Sequence, residues 1–226
     1  MELYIAIFVF AVSTTVTPGP NNIMIMTSGL NFGLQRSLPH LMGICLGFPL
    51  MVAGVGIGFG VVFEKFPMVH EIIKILGVLY LFYLAYLVAT SAPKSLEASD
   101  RETMHKGTSN NDASNKDKHQ DNPKPLTFLQ AALFQWVNPK AWVMATGAVA
   151  AYTTQDAGML LQVLLIAGAF LIASLPCVGI WLVCGTWLKR FLKEVRYQRA
   201  FNMTMALLLV VSILPVINEL KESYLV

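Results

Sequence analysis

Six apolar runs set the limits on this chain: residues 3–26, 38–62, 72–90, 126–152, 159–187 and 200–217. Each is close to or above the roughly 20 residues a helix needs to cross the hydrocarbon core of a bilayer. In that setting a segment must satisfy its own backbone N–H and C=O groups, which a helix does. The composition agrees, with 55% apolar and 13% charged residues against about 45–50% and 25% in soluble domains. The expected fold is an all-α membrane protein with six transmembrane helices. A net charge of +3 is too small for a nucleic-acid surface, so the lipid bilayer is the expected macromolecular surroundings and nucleic acid is not an expected partner.

The runs fall into two groups of three. Between them, residues 91–125 are rich in Lys, Asp, Asn and Ser and hold almost nothing apolar to bury, so they are expected to be a disordered polar linker. The organisation expected is a first three-helix half at 1–90, the linker at 91–125 and a second half at 126–226. The first run follows Glu2 without a basic cluster or a small-residue cleavage site and reads as a retained helix. Cys45, Cys177 and Cys184 all lie inside apolar runs without a CxxC pair, which fits packing residues and leaves no metal or cofactor to expect.

Lys and Arg concentrate in cytoplasmic loops. Here Arg36 marks the first loop; Lys94, Arg101, Lys106, Lys116, Lys118 and Lys124 mark the linker; Lys189, Arg190, Lys193, Arg196 and Arg199 mark the fifth loop. Together they make 12 of the 16 basic residues. Both termini are therefore expected outside the cytoplasm, and the first and fourth helices cross in opposite directions.

Those two helices are interrupted at matching places, by Thr17-Pro18-Gly19-Pro20-Asn21-Asn22 and by Gln135-Trp136-Val137-Asn138-Pro139-Lys140. Proline removes a backbone donor and clashes with the preceding turn, and freed carbonyls at membrane depth must line a cavity or meet protein groups. Paired interruptions in two antiparallel halves are the sequence mark of a 3+3 inverted repeat with a midplane binding site. Thr17-Pro18 and Asn138-Pro139 each carry a helix start signal. Two half-helix N-termini converging near the midplane suit a carboxylate. Lys140, about 20 Å into the fourth run, adds a full charge that either binds substrate or satisfies backbone carbonyls. The candidate substrate-binding residues are thus Thr17, Pro18, Gly19, Pro20, Asn21, Asn22, Gln135, Asn138, Pro139 and Lys140. Ser13, Thr14, Thr15 and Gln130 are further polar groups near the breaks.

Gly43, Gly47, Gly54 and Gly58 in the second run share one helical face and read as a helix-packing stripe. No Asp or Glu lies deep in any run, which favours a neutral zwitterion over a cationic substrate and leaves proton coupling without an evident carrier. His40 and His70 fall near run edges, where structural or interfacial roles are expected. No nucleophile, base and metal set suggests an enzyme. The alternative to a carrier is a channel, or an exporter of another small solute or cation.

TPGPNN at 17–22, the Gly-rich stretch from Gly29 to Gly47, the hydrophilic linker and FQWVNPKAW at 134–142 together resemble the LysE/RhtB family of amino acid exporters over essentially the whole chain outside the linker. The resemblance implies six helices in a bacterial inner membrane and efflux of an amino acid or derivative, with protons as the driving partner and an oligomer left open. TPGPNN is most similar to cysteine/O-acetylserine exporter-like members and their neutral amino acid relatives. The linker is long and polar for that family, and Pro39-His40 at the entry to the second run departs from it.

Overall fold

A computed structural model of the chain describes residues 2–59, 65, 67–91, 124–153, 158–192 and 194–225. Helices make up all the regular structure among the described residues. In chain order they are α1 (Glu2–Val16), α2 (Pro20–Phe32), α3 (Leu34–Gly54), α4 (Pro67–Thr90), α5 (Phe128–Phe134), α6 (Pro139–Tyr152), α7 (Met159–Leu188) and α8 (Val195–Leu225). A π-turn, Val55–Phe59, follows α3, and a 3-10 turn, Gln135–Val137, joins α5 to the Asn138 cap of α6. Most of the linker, the loop holding Asp156, and the side chains of His70 and Glu71 lie outside the described residues.

Local chemistry sets the element ends. Thr127 opens α5 with a capping box: its hydroxyl accepts from the Gln130 N–H, and Gln130 Oε1 accepts from the Thr127 N–H at 3.0 Å. Asn138 caps α6, its Oδ1 accepting from the Lys140 N–H at 3.2 Å, with Pro139 first in the helix. Gly33, at φ 80°, turns the chain from α2 into α3 in one residue.

Leu34–Gly58, Met159–Leu188 and Val195–Leu214 are long and apolar enough to span a membrane. The pair α1 and α2, bent by 55° at the break, makes a fourth span if counted as one; Ile75–Thr90 and Phe128–Val137 are apolar but shorter. The six runs of the sequence are thus three or four full spans among the described residues. The fourth run accounts for one shortfall, because the 3-10 turn and Pro139 divide it into two short helices.

Three clusters of buried side chains hold the helices together. One joins Ile7 and Ala11 of α1, Phe48 and Met51 of α3, Ala141 and Ala145 of α6 and Phe170 of α7. A second joins Leu81 and Leu84 of α4 to Leu209 and Ile213 of α8, with Ile23, Met24 and Phe134. The third packs Ile25 between Ile44, Ala131 and Leu182. Elsewhere, large apolar side chains such as Leu161, Leu164, Ile172 and Val183 of α7 point outward, an arrangement that suits lipid and would be costly in water.

Candidate functional site

The break between α1 and α2 leaves the carbonyl end of α1 without intrahelical donors, and side chains supply them. Asn22 Nδ2 donates to the carbonyls of Thr15 and Thr17, both at 2.8 Å. Trp181 Nε1 donates to the Val16 carbonyl at 3.1 Å, and the Thr17 hydroxyl turns back to the Thr14 carbonyl at 2.7 Å. Lys140 reaches over from α6: its ammonium donates to Thr17 O at 2.8 Å, Thr17 Oγ1 at 2.7 Å and Pro18 O at 3.2 Å. A cation at the negative end of a helix is electrostatically favourable as well as a hydrogen-bond donor. Gly19 makes room for it, since a Cβ there would meet Lys140 Cδ at 2.6 Å.

The helix restart lies two residues later than the sequence suggested. Thr17-Pro18 is not the start; α2 begins at Pro20, with Gly19 in the cap position and no side chain capping it. Thr17 is drawn instead to the end of α1 and to Lys140. Of the two half-helix N-termini, that of α6 is capped by Asn138 and that of α2 has no side-chain cap.

Both breaks border one cavity of about 30 Å³. Its wall includes Thr15, Gly19, Asn21, Asn22, Asn138 and Lys140, closed by Ile44 and Phe48 of α3 and Ser174 and Val178 of α7. That is room for about one water, so the cavity is closed down around its polar groups. The Thr15 hydroxyl, buried in this wall, has no hydrogen-bond partner among the described residues. Pro18 and Pro139 stand outside the wall, and Pro20 is buried beside it. Gln135, fully buried, exchanges hydrogen bonds with Asn21 across the two breaks, at 2.8 Å and 3.2 Å, and donates to Ala131 O at 2.8 Å.

A second and larger cavity, about 570 Å³, lies toward the linker end, between α2, α3, α4 and α5. Thr27, Ser28, Asn31, His40, Tyr83 and Gln130 contribute to its wall, and Ser91 and Lys124, which flank the linker, lie at its mouth. The two cavities follow the same helix faces. On α2, Asn21 borders the small one, while Met24, Ser28 and Asn31, at i+3, i+7 and i+10, border the large one. On α3, Phe48 and Ile44 border the small cavity and His40, one turn on, the large one.

His40, in the second turn of α3, is turned into the bundle. It is 1% exposed, its Nδ1 lies 3.0 Å from Ser28 Oγ, and its Nε2 has no hydrogen-bond partner among the described residues. The sequence reading also passed over Asn202, fully buried on α8, which exchanges hydrogen bonds with Asn31 at 3.3 Å and donates to Ser91 O at 3.1 Å. A buried amide inside an apolar run was the available signal.

Gly43 and Gly47 face α5, where a Cβ would strike Phe128 O and Ala132 Cα. Gly54 ends α3, half-buried. Gly58 leaves the stripe: no described residue lies within 4 Å of its Cβ position, and at φ 132° it serves the π-turn. That turn shifts the face, so Gly56 rather than Gly58 meets a neighbour, Val163.

A family model described as LysE type translocator matches residues 12–213. The chain is 27% identical over 210 residues to the cysteine/O-acetylserine efflux proteins of Escherichia coli (strain K12) and Shigella flexneri, covering 91% of this chain and 92% of each relative. To the protein of the same description from Escherichia coli O1:K1 / APEC it is 28% identical over 208 residues, with the same coverage. No solved structure matches.

Proposed function

The chain belongs to the LysE type translocator family, as a multi-pass membrane protein of the amino acid efflux class, and from that premise we propose a specific activity. It is a secondary transporter that exports a small neutral amino acid or derivative, of the threonine, homoserine, cysteine or O-acetylserine type, from the cytoplasm by alternating access with proton coupling. The names of its relatives support the sulfur-containing or O-acetylated end of that range. In this reading the chain crosses a bacterial inner membrane six times as a 3+3 inverted repeat, with both termini outside. The pairing of α3 with α7 and of α4 with α8, counterparts in the two halves, supports it.

The observation that carries the proposal is the single polar cavity shared by the two breaks, with the Lys140 ammonium at its edge. The substrate carboxylate takes the side-chain-free N-terminus of α2 at Gly19, Pro20, Asn21 and Asn22. Lys140 turns to it from the carbonyls of Thr17 and Pro18. Asn138 stands in the opposite wall, Pro139 starts α6 behind it, Gln135 holds Asn21 in place, and the Thr15 hydroxyl offers the substrate a hydrogen bond. At about 30 Å³ the cavity excludes any amino acid, so binding requires the walls to part, as alternating access demands.

The test is efflux from cells preloaded with labelled threonine, homoserine, cysteine and O-acetylserine, with and without a proton uncoupler. Saturable efflux of one or more, abolished by the uncoupler, is the expected result. No efflux of any, from a protein shown to be inserted, overturns the proposal.

A further inference from the structure

The small cavity shared by the two breaks has two unlike sides. The breaks supply the polar side, and α3 and α7 supply the other. Ile44 and Phe48, four residues apart, share one face of α3; Ser174 and Val178, likewise four apart, share one face of α7. A wall of three apolar side chains and one hydroxyl has nothing to pair with a charged group. The part of a substrate that meets it is therefore uncharged.

Phe48 is the member of this wall least free to move. It is 4% exposed, and its ring stands edge-on to that of Phe170, with centroids 5.0 Å apart and planes at 87°. Phe170, fully buried one turn before Ser174, is edge-on in turn to Phe10 of α1, at 6.3 Å and 82°. Both are geometries that aromatic pairs prefer. Turning Phe48 to another rotamer would break the first contact and leave a ring-sized void in a close-packed core. The polar side is held less firmly. It lies where the chain is already interrupted, at the break after α1 and at the start of α6. To the buried cluster that holds both rings, α6 adds only Ala141, Ala145 and Ala148, whose methyl groups have little to interlock. When the walls part to admit a substrate, the polar side gives way and Phe48 stays.

We infer that Phe48 sets the upper size of the substrate side chain. With the charged groups of the zwitterion held at the breaks, the side chain runs toward α3 and ends on this ring. Short neutral side chains are carried and aromatic ones are refused, because the space an aromatic substrate needs is already filled by a clamped ring. The inference rests on the exporter reading and gives that site a steric stop in addition to its polar contacts.

The test uses the full chain in proteoliposomes and measures counterflow of labelled threonine, cysteine, O-acetylserine and phenylalanine. The wild type is expected to carry at least one of the first three, and phenylalanine far more slowly. Phe48→Ala leaves a space of the ring's own shape, so kcat/KM for phenylalanine relative to the short substrate should rise about tenfold or more. Because that variant also opens a void in the core, Phe48→Leu is measured beside it, with a smaller rise in the same direction expected. Leu209→Ala truncates a fully buried side chain in the cluster between α4 and α8, and should leave the ratio unchanged, since loss of packing alone does not reshape the site. The inference is overturned by a wild type that carries phenylalanine as fast as the short substrates, by an unchanged ratio in a folded Phe48 variant, or by the same rise in Leu209→Ala. Absence of counterflow of any short substrate in the wild type sinks the exporter reading itself, a separate outcome.

Discussion

At the scale of single residues, Lys140 fills one of the two roles that the sequence posed as alternatives, and the proposed function gives it the other as well. Its ammonium now holds the carbonyls of Thr17 and Pro18, and the same position lets it swing to a carboxylate in the adjoining cavity. Lys140→Met should raise the KM for efflux about tenfold or more, the cost of losing a charged hydrogen bond, with membrane insertion unchanged; wild-type kinetics in that variant would remove the lysine from the site. The Asn21–Gln135 pair makes a sharper claim. A double-mutant cycle of Asn21→Ala and Gln135→Ala, read by thermal unfolding in detergent, should give a coupling of about 0.5–1.5 kcal/mol. Additive effects would show that the bridge contributes nothing. The sequence exposed both breaks and the lysine, because Pro in an apolar run and a charge at membrane depth are visible without a partner. It did not reveal the Asn21–Gln135 bond, whose partners are 114 positions apart and meet only once both helices have fixed rotations.

At the scale of elements, the seams between helices depend on missing side chains. A Cβ on Gly185 would strike the Met26 carbonyl, one on Gly29 would meet Leu182 O at 2.5 Å, and one on Gly77 would strike Val137 O. Backbones in such contact gain close packing without the hydrophobic effect, which is weak between helices in lipid. Gly185→Val should therefore lower stability by about 1–3 kcal/mol, the range for overpacking, seen as a reduced melting temperature of the purified protein. Gly147→Ala, where no described residue lies within 4 Å, should be neutral or stabilising by up to about 1 kcal/mol through helix propensity; an equal loss in both would refute the seam argument. Half of the Gly stripe in the second run was legible from its spacing. The rest was not, since a π-turn changes the face without any residue that announces it.

At the scale of the whole molecule, the large cavity lies where the tightly paired α4 and α8 meet the rest of the bundle. If that boundary opens and closes during transport, cysteines placed at Leu87 and Thr27, both in the cavity wall, and joined by a bifunctional reagent should abolish efflux and leave the protein inserted. Full activity after verified cross-linking would put the moving boundary elsewhere. The helical class, and three or four of the membrane-crossing runs, were readable from hydropathy alone. Which helices pair was not, because a lipid-facing and a protein-facing stripe are both apolar. The seam of Gly29 against α7 also bears on biosynthesis. When the first ninety residues have left the ribosome, Gly29 and Asn31 still lack the partners supplied by Leu182 and Asn202. The first half thus waits in the bilayer as an unfinished surface, and assembly is completed only by the last helices to be made.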